Sequence, residues 1–162
     1  LRYESWKDSK ELETKSVSEL LMELDALIES LKKKGCTSVS LVAKSFGGLL
    51  AVLCKNKAVS SLVLWAPAIT IAPHLFDIKK KLSVFKELSE LTISEHVLQE
   101  VKVSVCLVHG SKDEVVPLST SKQLLGFFGH AQLYVIEGAD HSYTDKMSAV
   151  EKVTVDFLKS QR

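Results

Sequence analysis

Short apolar runs alternate with helical patterns along this chain. The runs lie at residues 38–43, 61–66, 103–108 and 132–136, and helical patterns precede and separate them. Each run is mostly apolar, without regular alternation of polar residues, which is typical of strands that are buried on both faces. Parallel strands need long crossover connections, which are usually helices. The alternation therefore predicts an α/β fold, with a mostly parallel sheet of about four to five strands and helices on both faces.

The helical segments carry clear boundary signals. Apolar residues recur at three- and four-residue intervals from Val17 to Leu31, and Ser16 and Glu19 form a capping box before them. Gly35 supplies a stop after this first helix. Residues 68–100 break the alternation and are predicted to form one or two short helices, a lid-like insertion. We predict one domain over residues 1–162.

Composition excludes several classes of protein. Hydrophobic residues make up 46% of the 162 residues, charged residues make up 25%, and the formal net charge is +1. This balance gives no reason to expect a nucleic-acid partner. No apolar stretch reaches the roughly 18 residues of a membrane span, and no signal peptide opens the chain, so we expect a cytoplasmic protein. It begins with Leu1, so a processed product or a piece of something longer is expected.

The cysteines and histidines do not suggest a metal or a cofactor. The three cysteines lie in or beside apolar runs, which predicts reduced, packed thiols, and none has the spacing of a metal site. No strand is followed by a glycine-rich phosphate loop, which disfavours a flavodoxin-like nucleotide binder. Four histidines are predicted to be structural or surface residues: His74, His96, His109 and His130.

Three residues at predicted strand ends suit nucleophilic catalysis. Ser45 follows the run 38–43 and precedes paired glycines, which is the pattern of a nucleophile elbow. Asp113 and His141 follow the third and fourth runs, and the carboxyl ends of parallel strands share one edge of a sheet. A serine hydroxyl needs an imidazole to take its proton, and the imidazole needs an acceptor to fix its tautomer. We therefore predict Ser45 as nucleophile, His141 as base and Asp113 as the orienting acid.

These motifs resemble those of the α/β-hydrolases, most closely the small esterases, lipases and dienelactone-hydrolase-like members. The resemblance rests on residues 43–48 for the elbow, residues 109–113 with Val116 and Pro117 for the acid loop, and residues 138–142 for the histidine loop. It covers essentially the whole chain and implies a partial α/β-hydrolase fold. It also implies an acyl-enzyme on Ser45, with the backbone N–H of Phe46 as an oxyanion donor.

The chain departs from the family pattern in two places. Ala43 stands where the elbow pattern has its first glycine. The strands that open the family fold are missing, apart from Leu1 to Tyr3, which resemble the tail of one. In the family, these strands include the loop that donates the second oxyanion N–H. Loss of such a donor lowers the catalytic rate about 10²–10³-fold. The strand at 38–43 would then have an apolar edge, which N-terminal residues, a second copy or a separate polypeptide would cover.

Two functions are therefore weighed. The first is a serine hydrolase acting on a carboxylic ester or thioester. The second is a non-catalytic, partial hydrolase domain that serves as an interaction or assembly module.

Each candidate residue also has a structural alternative. Ser45 is alternatively a helix N-cap, Asp113 a turn cap, and His141 a simple loop histidine. Asp140 competes with Asp113 as the acid. Trp65 and Phe76 are candidates for an acyl pocket, although aromatic residues at such positions are more often core. Lys44, beside the nucleophile, is a weak candidate for influencing an anionic substrate.

Overall fold

The computed structural model of the protein describes residues 15–69 and 95–161. Within those ranges the elements follow one another in the order α1 (Val17–Lys33), β1 (Val39–Lys44), α2 (Phe46–Leu53), β2 (Val59–Trp65), α3 (Glu95–Gln99), β3 (Ser104–Gly110), α4 (Leu118–Phe127), β4 (Ala131–Ile136) and α5 (Met147–Ser160).

The described strands form one parallel sheet in the order β1-β2-β3-β4. Lys44 at the end of β1 is opposite Trp65 on β2, and Trp65 is opposite Val108 on β3. Gly110 on β3 is opposite Ile136 on β4. The carboxyl ends of the four strands are therefore close to level, and the residues that follow them share one edge of the sheet. The predicted α/β class with parallel strands is confirmed.

The two central strands are buried on both faces. Val63 and Leu64 of β2 and Cys106 and Leu107 of β3 have no exposed surface. One face packs against α1, α2 and α4, and the other packs against α5. Helices on both faces explain why residues 62–65 and 105–108 of these strands are apolar at consecutive positions and do not alternate.

Helix α1 begins and ends where the sequence predicts. The Ser16 hydroxyl accepts a hydrogen bond from the Glu19 backbone N–H at 3.2 Å, and a Glu19 carboxylate oxygen accepts one from the Ser16 N–H at 2.7 Å. This reciprocal pair satisfies two donors that the first turn would otherwise leave unpaired. The helix stops at Lys33, and Gly35 has a φ of +92°, a conformation that glycine adopts without strain.

Two local predictions need correction. His109 and Gly110 belong to β3, although the sequence pattern assigned them to the following loop. Cys106 is buried, and burial raises the pKa of its thiol to about 12, as expected of a packed residue, but Cys36 is exposed.

The predicted insertion at 68–100 lies mostly outside the described residues, which include α3 near its end. The N-terminal resemblance at Leu1 to Tyr3 also lies outside them. Strand β1 is at one edge of the described sheet, and Val42 on it is 47% exposed. The expectation that another segment, copy or polypeptide covers this edge stays a prediction. Among the described helices, none has the length and apolarity to cross a membrane.

Candidate active site

Ser45 occupies a strained turn between β1 and α2. Its backbone has φ 51° and ψ −121°, a region that non-glycine residues rarely adopt and that costs of order 1–3 kcal/mol. Three backbone hydrogen bonds hold it there. The Ser45 N–H donates to the Trp65 carbonyl at 2.8 Å, and the Ser45 carbonyl accepts from the N–H groups of Gly48 and Ala68, each at 3.0 Å. Residues at the end of β2 therefore fix the turn.

Ser45 stands at the N-cap position of α2 but does not cap the helix with its side chain. An N-cap residue has an extended backbone, and its side chain accepts a hydrogen bond from the first turn of the helix. Ser45 has a positive φ, and its hydroxyl makes no capping hydrogen bond to α2. The hydroxyl is therefore not committed to capping the helix that it precedes.

Small residues surround this elbow, as expected, but Gly48 is more constrained than Gly47. A Cβ placed on Gly47 would lie 3.7 Å from the Ala43 Cβ, an ordinary contact. A Cβ placed on Gly48 would lie 2.9 Å from the Pro67 Cβ, which is too close. Even a side chain at position 47 would meet the Ala43 methyl group at an ordinary distance, so the elbow has room for this departure from the glycine pattern.

The Asp113 carboxylate is fully buried and hydrogen-bonded on both oxygens. Oδ1 accepts from the backbone N–H groups of Val115 at 2.9 Å and Val116 at 2.8 Å. Oδ2 lies 2.7 Å from Nδ1 of His141. Asp113 therefore both caps its turn and pairs with the histidine, so the two roles considered for it coexist.

The hydrogen bond with Asp113 orients the His141 ring. An ionised carboxylate only accepts, so Nδ1 of His141 carries a proton and Nε2 keeps its lone pair. The His141 side chain is 17% exposed, whereas that of Asp113 is 0% exposed. The base is therefore accessible at the edge of the sheet while its partner is shielded from water.

Asp140 makes a hydrogen bond within the histidine loop. Its Oδ1 accepts from the Thr144 backbone N–H at 2.9 Å, and this bond is the main reason that the pKa of the Asp140 carboxyl is lowered. The residue braces the histidine loop from within. Of the two acids considered, Asp113 is the one that pairs with His141.

The acid loop and the histidine loop are joined directly. The Lys112 N–H donates to the Ala139 carbonyl at 2.9 Å, and the Gly138 N–H donates to the Ser111 hydroxyl at 2.8 Å. The same Ser111 hydroxyl donates to a carboxylate oxygen of Glu137 at 3.1 Å. These bonds fix the separation of the two loops, and so the geometry of the Asp113–His141 pair.

Lys44 connects the elbow to the histidine loop. Its Nζ lies 5.6 Å from the centre of the Tyr143 ring, within the range of a cation–π contact. Partial burial lowers the pKa of Lys44, while the charges of Asp113 and Asp140 act in the opposite direction. The ammonium group thus lies in the field of the two carboxylates, and the elbow is close to the loops that carry Asp113 and His141.

Tyr143 is a site residue that the sequence analysis missed. It is 1% exposed, and its hydroxyl donates to the Val108 carbonyl at 2.9 Å. Burial raises the pKa of the Tyr143 hydroxyl well above its usual range, so it remains a neutral donor. Its position two residues after His141, in an otherwise polar loop, was the available signal.

The candidate pocket residue Trp65 has the contacts of a core residue. The Trp65 ring packs edge-on against Tyr143, with centroids 6.2 Å apart, and its Nε1 donates to the Thr154 hydroxyl at 3.0 Å. These contacts favour its alternative assignment as a core residue, and its pocket role stays a prediction. Phe76 lies outside the described residues. Phe46 is the first residue of α2, directly after Ser45, and its oxyanion role stays a prediction.

Within the described ranges, no group of three or more His, Cys, Asp or Glu side chains is placed to hold a metal ion.

Comparison with known proteins places this arrangement in a family. The sequence profile of an uncharacterised protein family, UPF0227, matches residues 9–159. The chain belongs to that family. No protein with a curated description matches the sequence.

Solved structures identify the fold as that of the α/β-hydrolases. Est1E from Butyrivibrio proteoclasticus superposes with a TM-score of 0.76 at 20% identity, over 91% of this chain and 71% of that one. The meta-cleavage product hydrolase CumD from Pseudomonas fluorescens IP01 gives 0.70 at 16% identity, over 92% and 74%. MGS-MChE2, an α/β-hydrolase from a lagoon-sediment metagenome, gives 0.71 at 20% identity, over 92% and 73%. The fold that the three motifs imply is confirmed.

Proposed function

We propose that this chain is a serine hydrolase that cleaves a carboxylic ester or thioester through an acyl-enzyme on Ser45. The observation that carries the proposal is the 2.7 Å hydrogen bond between Asp113 and His141, at the same edge of the sheet as a serine held at a positive φ. A buried carboxylate, a half-buried imidazole and a strained serine follow strands at one edge of the sheet. A structural core rarely needs these three groups together, whereas acyl transfer by a serine hydrolase uses all three.

The chemistry follows from the proton positions. With Nδ1 of His141 donating to Asp113, Nε2 accepts the Ser45 proton as Oγ attacks the acyl carbon. The carbonyl π electrons move to oxygen, and the backbone N–H of Phe46 is proposed to stabilise the resulting oxyanion. The intermediate collapses, Nε2 gives its proton to the leaving alcohol or thiol, and the acyl group remains on Oγ. Water then attacks by the same steps, releases the carboxylic acid and restores the Ser45 hydroxyl.

The structural neighbours are consistent with this class of reaction. Est1E has also been solved with ferulic acid bound, and CumD is described as a meta-cleavage product hydrolase. At 16–20% identity these proteins share the fold, and their substrates do not transfer to this chain. The acyl group and the leaving group are accordingly proposed only as a class.

Covalent labelling tests the proposal. The purified chain is treated with a fluorophosphonate probe between about pH 6 and 9, and the adduct is located by peptide mass spectrometry. We expect the adduct on Ser45, no adduct in Ser45→Ala and slow labelling in His141→Ala. Ser119→Ala, which changes an exposed serine on α4, is the matched control and should label like the wild type.

Hydrolysis of nitrophenyl esters and acyl thioesters should follow the same order among these variants. If no serine labels and no ester is hydrolysed across that pH range, the serine hydrolase proposal is wrong. That result would instead favour the non-catalytic interaction module.

A further inference from the structure

His109 is a buried histidine that the proposed reaction does not use. It lies near the end of β3 with no exposed surface, and both of its ring nitrogens are hydrogen-bonded. Nε2 lies 2.9 Å from the Val116 carbonyl oxygen, and Nδ1 lies 2.7 Å from the Ser121 hydroxyl. A carbonyl only accepts, so the proton is on Nε2, and Nδ1 accepts from the Ser121 hydroxyl. The tautomer is therefore fixed from both sides.

The backbone of Val116 connects this histidine to Asp113. Its carbonyl accepts from His109, and its N–H donates to Oδ1 of Asp113 at 2.8 Å. With Oδ1 occupied by backbone donors, Oδ2 is left to His141 at 2.7 Å. An unbroken chain of hydrogen bonds thus runs from α4 through His109 and the acid loop to His141.

The charge state of His109 matters for this chain. Burial lowers the pKa of the His109 imidazole, and the bond to Val116 and the charge of Asp113 oppose that shift only in part. Nε2 is also 3.4 Å from Oδ2 of Asp113. That distance is too long for a good hydrogen bond, so a neutral ring directed at Val116 does not compete with His141 for Oδ2.

We propose that His109 is a positioning residue, which holds the acid loop through the Val116 carbonyl so that Asp113 presents Oδ2 to His141. The inference rests on the proposed function for its catalytic meaning. The claim that His109 positions the hydrogen bond between Asp113 and His141 is tested by a separate measurement. A histidine that only fills space would give a different result, because any side chain of similar size would replace it.

Substitutions of His109 by amide residues distinguish the roles of its two ring nitrogens. In His109→Gln the amide nitrogen replaces Nε2 and keeps a donor for the Val116 carbonyl. In His109→Asn the shorter amide replaces Nδ1 and leaves that carbonyl without its partner. His109→Leu removes both bonds at similar volume. Ser121→Ala removes only the bond to Nδ1 and is the matched control on α4.

We expect ester hydrolysis and fluorophosphonate labelling to fall about 10²-fold in His109→Asn and His109→Leu, the loss typical of misplacing a catalytic group by about 1 Å. His109→Gln and Ser121→Ala should stay within about tenfold of the wild type, since the donor to Val116 remains. Equal losses in His109→Gln and His109→Leu would overturn the proposal, as would wild-type activity in His109→Asn.

Nitrogen-15 NMR of the imidazole rings gives a readout that does not depend on activity. In the wild type, His109 should be the Nε2–H tautomer, and His141 should show a deshielded Nδ1–H proton bonded to Asp113. That proton signal should persist in His109→Gln and broaden or vanish in His109→Asn. If the wild type has these signals and hydrolyses no ester, the serine hydrolase proposal fails and the positioning proposal stands. An Nδ1–H tautomer at His109 would refute the positioning proposal even where a variant does not fold.

Discussion

Gly110 lies where the acid loop and the histidine loop meet, and replacing it with alanine should separate them. A Cβ on Gly110 would lie 2.3 Å from the Ala139 carbonyl oxygen, 2.8 Å from its carbonyl carbon and 2.9 Å from the Asp140 carbonyl oxygen. All three are backbone atoms, so no change of rotamer relieves the clash. The histidine loop would have to move by about 1 Å to restore an ordinary contact.

The size of this effect follows from comparison with the two elbow glycines. Overpacking typically costs about 1–3 kcal/mol, and a clash with rigid backbone at 2.3 Å belongs at or above the upper end. Gly48→Ala meets the Pro67 ring at 2.9 Å but gains about 1 kcal/mol of helix propensity, so a net loss of about 0–2 kcal/mol is expected. Gly47→Ala makes an ordinary contact at 3.7 Å and should be neutral or more stable by up to about 1 kcal/mol.

Urea unfolding followed by tryptophan fluorescence measures this order, because Trp65 packs in the core beneath the histidine loop. The free energy of unfolding should decrease from Gly47→Ala to Gly48→Ala to Gly110→Ala. Gly110→Ala should also lose fluorophosphonate labelling, since moving the histidine loop lengthens the bond between Asp113 and His141. If Gly110→Ala were as stable as the wild type, or less damaging than Gly47→Ala, the steric reasoning would be refuted.

Three further predictions concern single groups. Asp113→Asn should lower ester hydrolysis about 10³–10⁴-fold, because an amide donor facing His141 forces the wrong tautomer, while Asp140→Asn should stay within about tenfold. Tyr143→Phe should cost only about 0.5–1.5 kcal/mol in urea unfolding, since the carbonyl that it bonds keeps a second donor. Burial lowers the pKa of His109 in the folded protein, so the unfolded chain binds that proton first as the pH falls. The free energy of unfolding should therefore decrease below about pH 6.5, by up to about 1.4 kcal/mol per pH unit from this group, until the pH passes the folded pKa. His109→Gln should remove that slope, and His130→Gln, on the surface, should keep it.

The order of elements and the edge that carries the site were predictable because they depend on local patterns. Apolar runs mark the strands, and parallel strands bring their carboxyl ends to one edge. The capping box of α1 depends on two residues three apart and was equally accessible. These features need no knowledge of which side chains meet across the fold.

Other features depend on contacts between distant segments. Gly110 looks like a turn residue in the sequence, yet it ends β3, because its missing side chain makes room for the histidine loop. Asp113 and Asp140 both follow strands, and only the fold shows that Asp140 is bonded to Thr144. Tyr143 was missed because its role depends on the Val108 carbonyl, 35 residues away in the sequence.

The two halves of the candidate site differ in how they are held. The half with Asp113 and His141 is braced by hydrogen bonds within and between its loops, and the strand before Asp113 is central in the described sheet. The half with Ser45 follows β1, at the edge of that sheet, and is joined to the rest through the end of β2. A polypeptide that pairs with β1 would therefore act on the position of Ser45 and leave the Asp113–His141 bond unchanged. It follows that fluorophosphonate labelling should respond to such a partner, while the His141 Nδ1–H signal should not.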